Sequence, residues 1–128
     1  MASQSQESIE AQRQRLQAEH DERYLPNRKI KDDNLHYISR LQGTVSDLNR
    51  RLHEFERRRS ELTFRRPVSG PAKVELEHIE WEIKILTDHL DNLKRCREIA
   101  QAEIRQAEAE MTGAKTKLKR ELGKLEKQ

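Results

Sequence analysis

Two stretches of the chain repeat apolar residues in a three-four rhythm, and a short segment bearing prolines and a glycine separates them. With Leu76 at position a of a heptad, the second stretch puts Leu76, Ile83, Leu90, Ile104, Met111, Leu118 and Leu125 on the a line, with Arg97 interrupting it. Its d line reads Ile79, Leu86, Leu93, Ala100, Ala107, Ala114 and Glu121. A seven-residue apolar repeat returns to one face of an α-helix and marks a coiled-coil seam. No proline falls between Ala72 and Gln128, so the pattern predicts one very long helix over residues 72–128, on the order of 85 Å by the helical rise.

The first stretch is shorter and stricter. Ile38, Leu41, Val45, Leu48, Leu52, Phe55 and Leu62 keep the repeat, with only Arg59 polar, which predicts a coiled-coil helix over residues 32–64 that starts from an Asp32 or Asp33 cap. The segment FRRPVSGP that follows carries two prolines and a glycine, so residues 65–71 read as a turn. Upstream, residues 1–25 hold little apolar material, chiefly Ile9 and Leu16. They predict a short polar helix, capped by Ser3, Ser5 or Ser8 and ordered only when docked. Pro26, between Leu25 and Asn27, marks residues 26–31 as a breaker, because proline lacks the amide hydrogen and disfavours helical geometry in the residue before it.

Two heptad stretches around a turn can fold back on each other or pair with the same stretches of a second copy. Folded back, the layers Leu62 with Leu76, Phe55 with Ile83, Leu52 with Leu86, Leu48 with Leu90 and Val45 with Leu93 are all apolar. Arg97 then meets Leu41 and Arg59 meets Ile79, aliphatic neighbours along which an arginine stem can lie with its head in water. A parallel homo-oligomer stacks Arg59 on Arg59 and Arg97 on Arg97; in its favour stand β-branched Ile38 and Val45 at a with leucine at d. Charge favours the hairpin. Arg50, Arg51, Arg57, Arg58, Arg59, Arg65 and Arg66 make the first arm and turn basic, and Glu75, Glu77, Glu80, Glu82, Asp88 and Asp91 make the facing arm acidic. The hairpin register sets Arg58 near Glu82, Arg65 near Glu75 and Arg51 near His89. The expected fold is therefore all-α: an elongated coiled-coil helical hairpin with one very long C-terminal helix and a short N-terminal helix.

Composition narrows the class. Of 128 residues, 33% are hydrophobic, 4% aromatic and 38% charged, too little apolar matter for a compact globule and the balance of helices whose apolar residues are confined to a stripe. The 26 basic and 23 acidic residues nearly cancel, to a net +3, so the placement of charge carries the information. A single cysteine, Cys96, cannot form an internal disulfide and points to a reducing cytosolic or nuclear compartment, with a cytoplasmic setting expected. The amino terminus lacks the apolar stretch of a signal peptide and no run reaches membrane-spanning length, so no membrane partner is expected.

Two surfaces remain outside the hairpin core. The long helix outlasts the first coiled-coil stretch near Ala100, leaving Ile104, Ala107, Met111, Ala114, Leu118, Leu122 and Leu125 in need of cover from the amino-terminal helix, a second copy or another protein. Val74, Trp81 and Ile85 form another apolar line at f and c positions, away from the seam. An outward tryptophan with aliphatic neighbours is typical of a binding anchor; the plainer alternative is an indole lying on its own chain. The alanines at d permit close helix approach, although alanine is also simply a strong helix former. Both lines read as partner-facing.

Enzymatic chemistry finds no foothold. His20, His36, His53, His78 and His89 are scattered without metal-ligand spacing, there is no Gly-rich phosphate loop or nucleophile motif, and a pair of helices has no concavity for an active site. No cofactor and no metal are expected. Basic residues from Lys115 to Lys127 suit acidic surfaces, but no aromatic side chain beside them would stack on bases, which puts a nucleic-acid accessory role third. Ser69, behind Arg65 and Arg66, has the surroundings of a kinase acceptor. The Glu75–Lys94 stretch resembles the helical hairpins that recur in small-GTPase effector modules and cytoskeletal rods. The leading expectation is a non-enzymatic structural or scaffolding coiled-coil subunit of a larger assembly, cytoskeletal or ciliary in setting, joined to other proteins through coiled-coil and surface contacts. The alternative is a helical-hairpin adaptor that presents Trp81 to a signalling protein.

Overall fold

The computed structural model describes residues 8–64 and 69–127. The fold is an all-α helical hairpin of two helices, α1 over Ile9–Phe64 with 56 residues and α2 over Gly70–Glu126 with 57. Their nearly equal lengths correct the expectation of a short N-terminal helix beside one very long C-terminal helix. The two helical stretches before the turn are one: Pro26 lies inside α1 and residues 26–31 are helical throughout. Asp32 and Asp33 are therefore interior and cap nothing.

Serine starts both helices. Ser8 Oγ accepts the Ala11 N–H at 3.0 Å and its carbonyl accepts the Gln12 N–H at 3.0 Å; Ser3 and Ser5 lie outside the described residues. Ser69 repeats the arrangement, with Oγ accepting from Ala72 at 3.3 Å and its carbonyl accepting from Lys73 at 2.9 Å. This cap lets α2 begin two residues earlier than the sequence suggests, because Pro71 then falls in the first turn, where its missing amide hydrogen costs nothing. Residues 65–68 of the expected turn lie outside the described residues.

A proline inside a helix removes one ladder bond and crowds the preceding turn, at about 3 kcal/mol. The length of helix on either side outweighs that local cost. Asn27 folds its side chain back so that Nδ2 donates to the Arg23 carbonyl at 2.7 Å, giving an acceptor beside the gap a further donor. The flanking runs are rich in Gln, Glu, Arg and Lys, good helix formers that keep the helix in phase on both sides.

The chain divides into two compact units: a central unit, Tyr37–Ala100, and a terminal unit that combines Met1–His36 with Gln101–Gln128. In the central unit the expected seam is present. Leu41, Leu48 and Leu62 of α1 and Ile79, Leu86 and Ala100 of α2 are buried. Ile38, Val45, Leu52, Phe55, Leu76, Ile83, Leu90 and Leu93 are half-buried beside them. Arg97 lines a groove with Leu41, Val45, Leu90 and Leu93 while remaining exposed overall, so its stem covers aliphatic surface and its head reaches water.

In the terminal unit α2 keeps its heptads, with Ile104, Ala107, Ala114 and Leu125 buried and Met111, Leu118 and Leu122 half-buried. The α1 arm differs. Its half-buried seam positions are Leu16, His20, Tyr24, Asn27, Lys31 and Asn34. From Tyr24 onward these keep three-four spacing, whereas the four-residue steps from Leu16 to His20 to Tyr24 shift the phase. The arm's other aliphatic residues, Leu25, Ile30 and Leu35, are exposed by 54%, 44% and 47%.

Candidate functional site

On α2 of the central unit, the c and f positions point away from the a and d seam. There Val74, Trp81 and Ile85 are 68%, 58% and 42% exposed, and spacings of seven and four residues put them on one face. His78 fills the space between Val74 and Trp81. Its ring stacks on the indole with centroids 6.5 Å apart and planes 28° from parallel, and Nε2 lies 3.9 Å from Glu82 Oε1. Exposed Glu77, Glu80, Lys84 and Asp88 flank the line. An apolar centre with a charged rim is the anatomy of a protein interface anchor. Val74, Trp81 and Ile85 stand exposed where their f and c positions place them, and His78, one turn before Trp81, joins them as a residue the apolar pattern does not pick out. Outside both expected surfaces, Phe64 and Ile99 are also strongly exposed. Ile99 occupies a c position on the same face, but Asp88, Asn92 and Arg95 separate it from Ile85.

The second expected partner surface is occupied by the chain itself. Leu16, Glu19, His20 and Arg23 of α1 line one small crevice with Ala114, Lys117 and Leu118, and Arg13, Gln14 and Gln17 share another with Leu122 and Glu126. Of the three covers the sequence allows for Ile104, Ala107, Met111, Ala114, Leu118, Leu122 and Leu125, the amino-terminal part of α1 is the one present. The physical reason is the continuity of α1 through Pro26, which gives the arm the length and direction to lie along α2.

Flanking charges refine the register. Arg58 grips Glu75 with two bonds, Nε to Oε1 at 2.8 Å and Nη2 to Oε2 at 3.2 Å; it does not pair with Glu82, which the sequence suggests. The Arg58 hydrogen bonds hold the Glu75 carboxyl below the usual glutamate range, with burial opposing them. The same bonds, helped by Glu61, raise the guanidinium further above its ordinary value. Both residues occupy g positions, and g meets g one heptad nearer the turn on α2 than expected. Three heptads farther along both arms, interaction with Cys96 raises the Tyr37 phenol above its ordinary value, with burial adding to the effect and Arg40 opposing it.

The terminal unit uses the same g-to-g relation in Arg23 Nε and Glu110 Oε2, 2.8 Å apart. The Arg23 guanidinium lies across α2 where Gly113 leaves room; a Cβ there would stand 2.6 Å from Nη2. Lys31 Nζ reaches Glu108 at 3.4 Å, and Lys115 Nζ sits 5.3 Å from the centre of the Tyr24 ring, within cation–π range. His20 stacks on Tyr24 at 4.9 Å, and its Nδ1 is 2.9 Å from Asp21 Oδ1. That bond, with a second from Gln17, lowers the Asp21 carboxyl below its usual range.

Among the described residues, no group of three or more His, Cys, Asp or Glu side chains could hold a metal ion, and no helix is long and apolar enough to cross a membrane. Comparison with protein-family models, curated proteins and solved structures finds no match to this chain.

Proposed function

We propose that the chain is a non-enzymatic coiled-coil hairpin that docks onto partner proteins through the Trp81 line, as a structural or scaffolding subunit of a larger protein assembly. The supporting observation is the exposure of Val74, Trp81 and Ile85 in one line opposite a seam that the chain closes with its own residues. Covering such a line against a partner is favourable at about 25 cal/mol per Å² of apolar surface, and tryptophan carries a disproportionate share of interface energy. The line sits on a helix whose opposite face is held in the seam, so docking orders few new backbone degrees of freedom. Glu77, Glu80, Lys84 and Asp88 would then select among partners by charge. An adaptor for a signalling protein would use the same line, and the identity of the partner separates the two readings.

Cross-linking mass spectrometry of the full chain in native extract tests the proposal, because Lys73 and Lys84 stand beside the line and report its neighbours. Trp81→Ala is expected to weaken partner binding about 30-fold, the size of a hot-spot loss of about 2 kcal/mol, and to deplete links from both lysines. Thermal melting should stay unchanged, since Trp81 lies outside the seam. Inter-protein links from Lys73 and Lys84 that persist undiminished in Trp81→Ala would sink the reading.

A further inference from the structure

The terminal unit holds an apolar line under a polar cover. Ile104, Met111, Leu118 and Leu125 of α2 lie buried or half-buried, while α1 offers them His20, Tyr24, Asn27, Lys31 and Asn34, with Leu16 the one aliphatic residue among its seam positions. These polar groups add little adhesion. Asn27 and Asn34 donate to carbonyls of their own helix, Arg23 at 2.7 Å and Ile30 at 2.9 Å, and His20 bonds its neighbour Asp21. Among the described residues none of the three hydrogen-bonds to α2. Arg23 to Glu110, Lys31 to Glu108 and Lys115 over Tyr24 are half-exposed flanking contacts, of a kind that contributes little in water. Leu25, Ile30 and Leu35 face outward and share no helical stripe, so no rotation of the arm would bring them to the seam. Local sequence and tertiary role disagree along this arm, which marks a weakly held element.

We propose that the α1 arm of the terminal unit is a displaceable cover, and that the line from Ile104 to Leu125 is a docking surface for an amphipathic helix of a partner protein with aliphatic residues at its a and d positions. Charge sets the orientation. Along this line α2 changes from Glu103, Glu108 and Glu110 to Lys115, Lys117, Lys119 and Lys124. The partner helix is basic at the end that meets the glutamates and acidic at the end that meets the lysines. The resident arm has that polarity in net charge: Glu10, Glu19, Asp21 and Glu22 outnumber Arg13 and Arg15 toward one end, and Arg23, Arg28, Lys29 and Lys31 outnumber Asp32 and Asp33 toward the other. The partner keeps the charge pattern and supplies the aliphatic seam that the arm lacks. This surface belongs to a different unit from the Trp81 line, and neither reading depends on the other.

The test uses the full chain and a fluorescent synthetic peptide of residues 9–36 carrying Pro26→Ala, His20→Leu, Asn27→Leu, Lys31→Leu and Asn34→Leu. Saturable binding by anisotropy is expected, with hydrogen exchange in the chain's own residues 9–36 accelerated about tenfold or more as the cover is released. A peptide with the same leucines and its acidic and basic residues exchanged should bind about tenfold more weakly. A full chain carrying the five substitutions in its own arm should also bind the peptide about tenfold more weakly, because the tethered helix competes at high effective concentration. Should that chain fail to fold, Pro26→Ala alone provides a milder lock that restores one backbone bond and should weaken peptide binding in the same direction. Absence of binding, or binding without faster exchange in the arm, overturns the proposal. Pairing of two full chains through the vacated line overturns it as well, by assigning the surface to a second copy.

Discussion

In the central unit both helices bring apolar residues to the seam, leucine, isoleucine, valine and phenylalanine from α1 and leucine, isoleucine and alanine from α2; in the terminal unit α2 brings isoleucine, leucine, methionine and alanine, whereas α1 brings histidine, tyrosine, asparagine and lysine beside Leu16. The two units share helix type and the same flanking relation, in Arg58 with Glu75 and in Arg23 with Glu110. What distinguishes them is adhesion. An aliphatic layer stabilises through area removed from water on both sides, whereas Asn27 and Asn34 satisfy themselves on their own helix and mainly avoid a penalty. Helical continuity and an aliphatic seam are thus separate properties, and α1 has the first along its whole length and the second along only part of it.

The contrast can be broken most sharply at Leu86, which is 3% exposed. Leu86→Ala should cost about 2–5 kcal/mol in chemical denaturation, and Leu16→Ala in the terminal unit should cost well under half as much. Equal costs would erase the distinction. A smaller effect of opposite sign is expected from Asn34→Leu, which should stabilise the terminal unit by about 1 kcal/mol through added apolar burial and slow hydrogen exchange in residues 9–36. Destabilisation would mean that the asparagine holds the arms together. The smallest effect concerns acid. Glu75 has a folded value below its unfolded one, so its stabilisation is present above the ordinary glutamate range and fades as the pH falls through the lowered value. Glu75→Gln should flatten that part of the acid limb in the central unit, measured by urea denaturation across acidic pH. The same direction at Asp21 gives the terminal unit its own acid limb, which Glu75→Gln leaves untouched.

Much of this could be read from residues alone. Leu41, Leu48, Leu62, Ile79 and Leu86 sit where an apolar heptad puts them, because removing five aliphatic side chains from water outweighs any local preference. Val74, Trp81 and Ile85 were equally legible, being apolar where the seam has no use for them. Pro26 misled because its cost is local and fixed, while the helix on either side is long enough to outweigh it. The seam role of His20, Asn27, Lys31 and Asn34 was invisible for a different reason: a polar residue at a or d looks like surface until its partner helix is known. The line from Ile104 to Leu125 announced that it needed a cover, and nothing in its composition named α1 as the one supplying it. Arg58 was expected opposite Glu82 because the apolar layers define axial register, whereas the carboxylate a long guanidinium reaches also depends on how both side chains lean along their helices.

The separation of contacts along the chain has a consequence for synthesis. Arg58 and Glu75 are 17 residues apart, and Arg23 and Glu110 are 87 apart, a difference that adds about 1.5 kcal/mol of loop-closure entropy to the wider contact. Pairing of α1 with α2 should therefore begin beside the turn and reach the arm last. At translation rates of about 5–20 residues per second, residues 9–36 wait several seconds or more after leaving the ribosome before residues 101–128 exist to receive them. A leucine seam held open for that time would attract other nascent chains. One built from histidine, asparagine and lysine can wait in water.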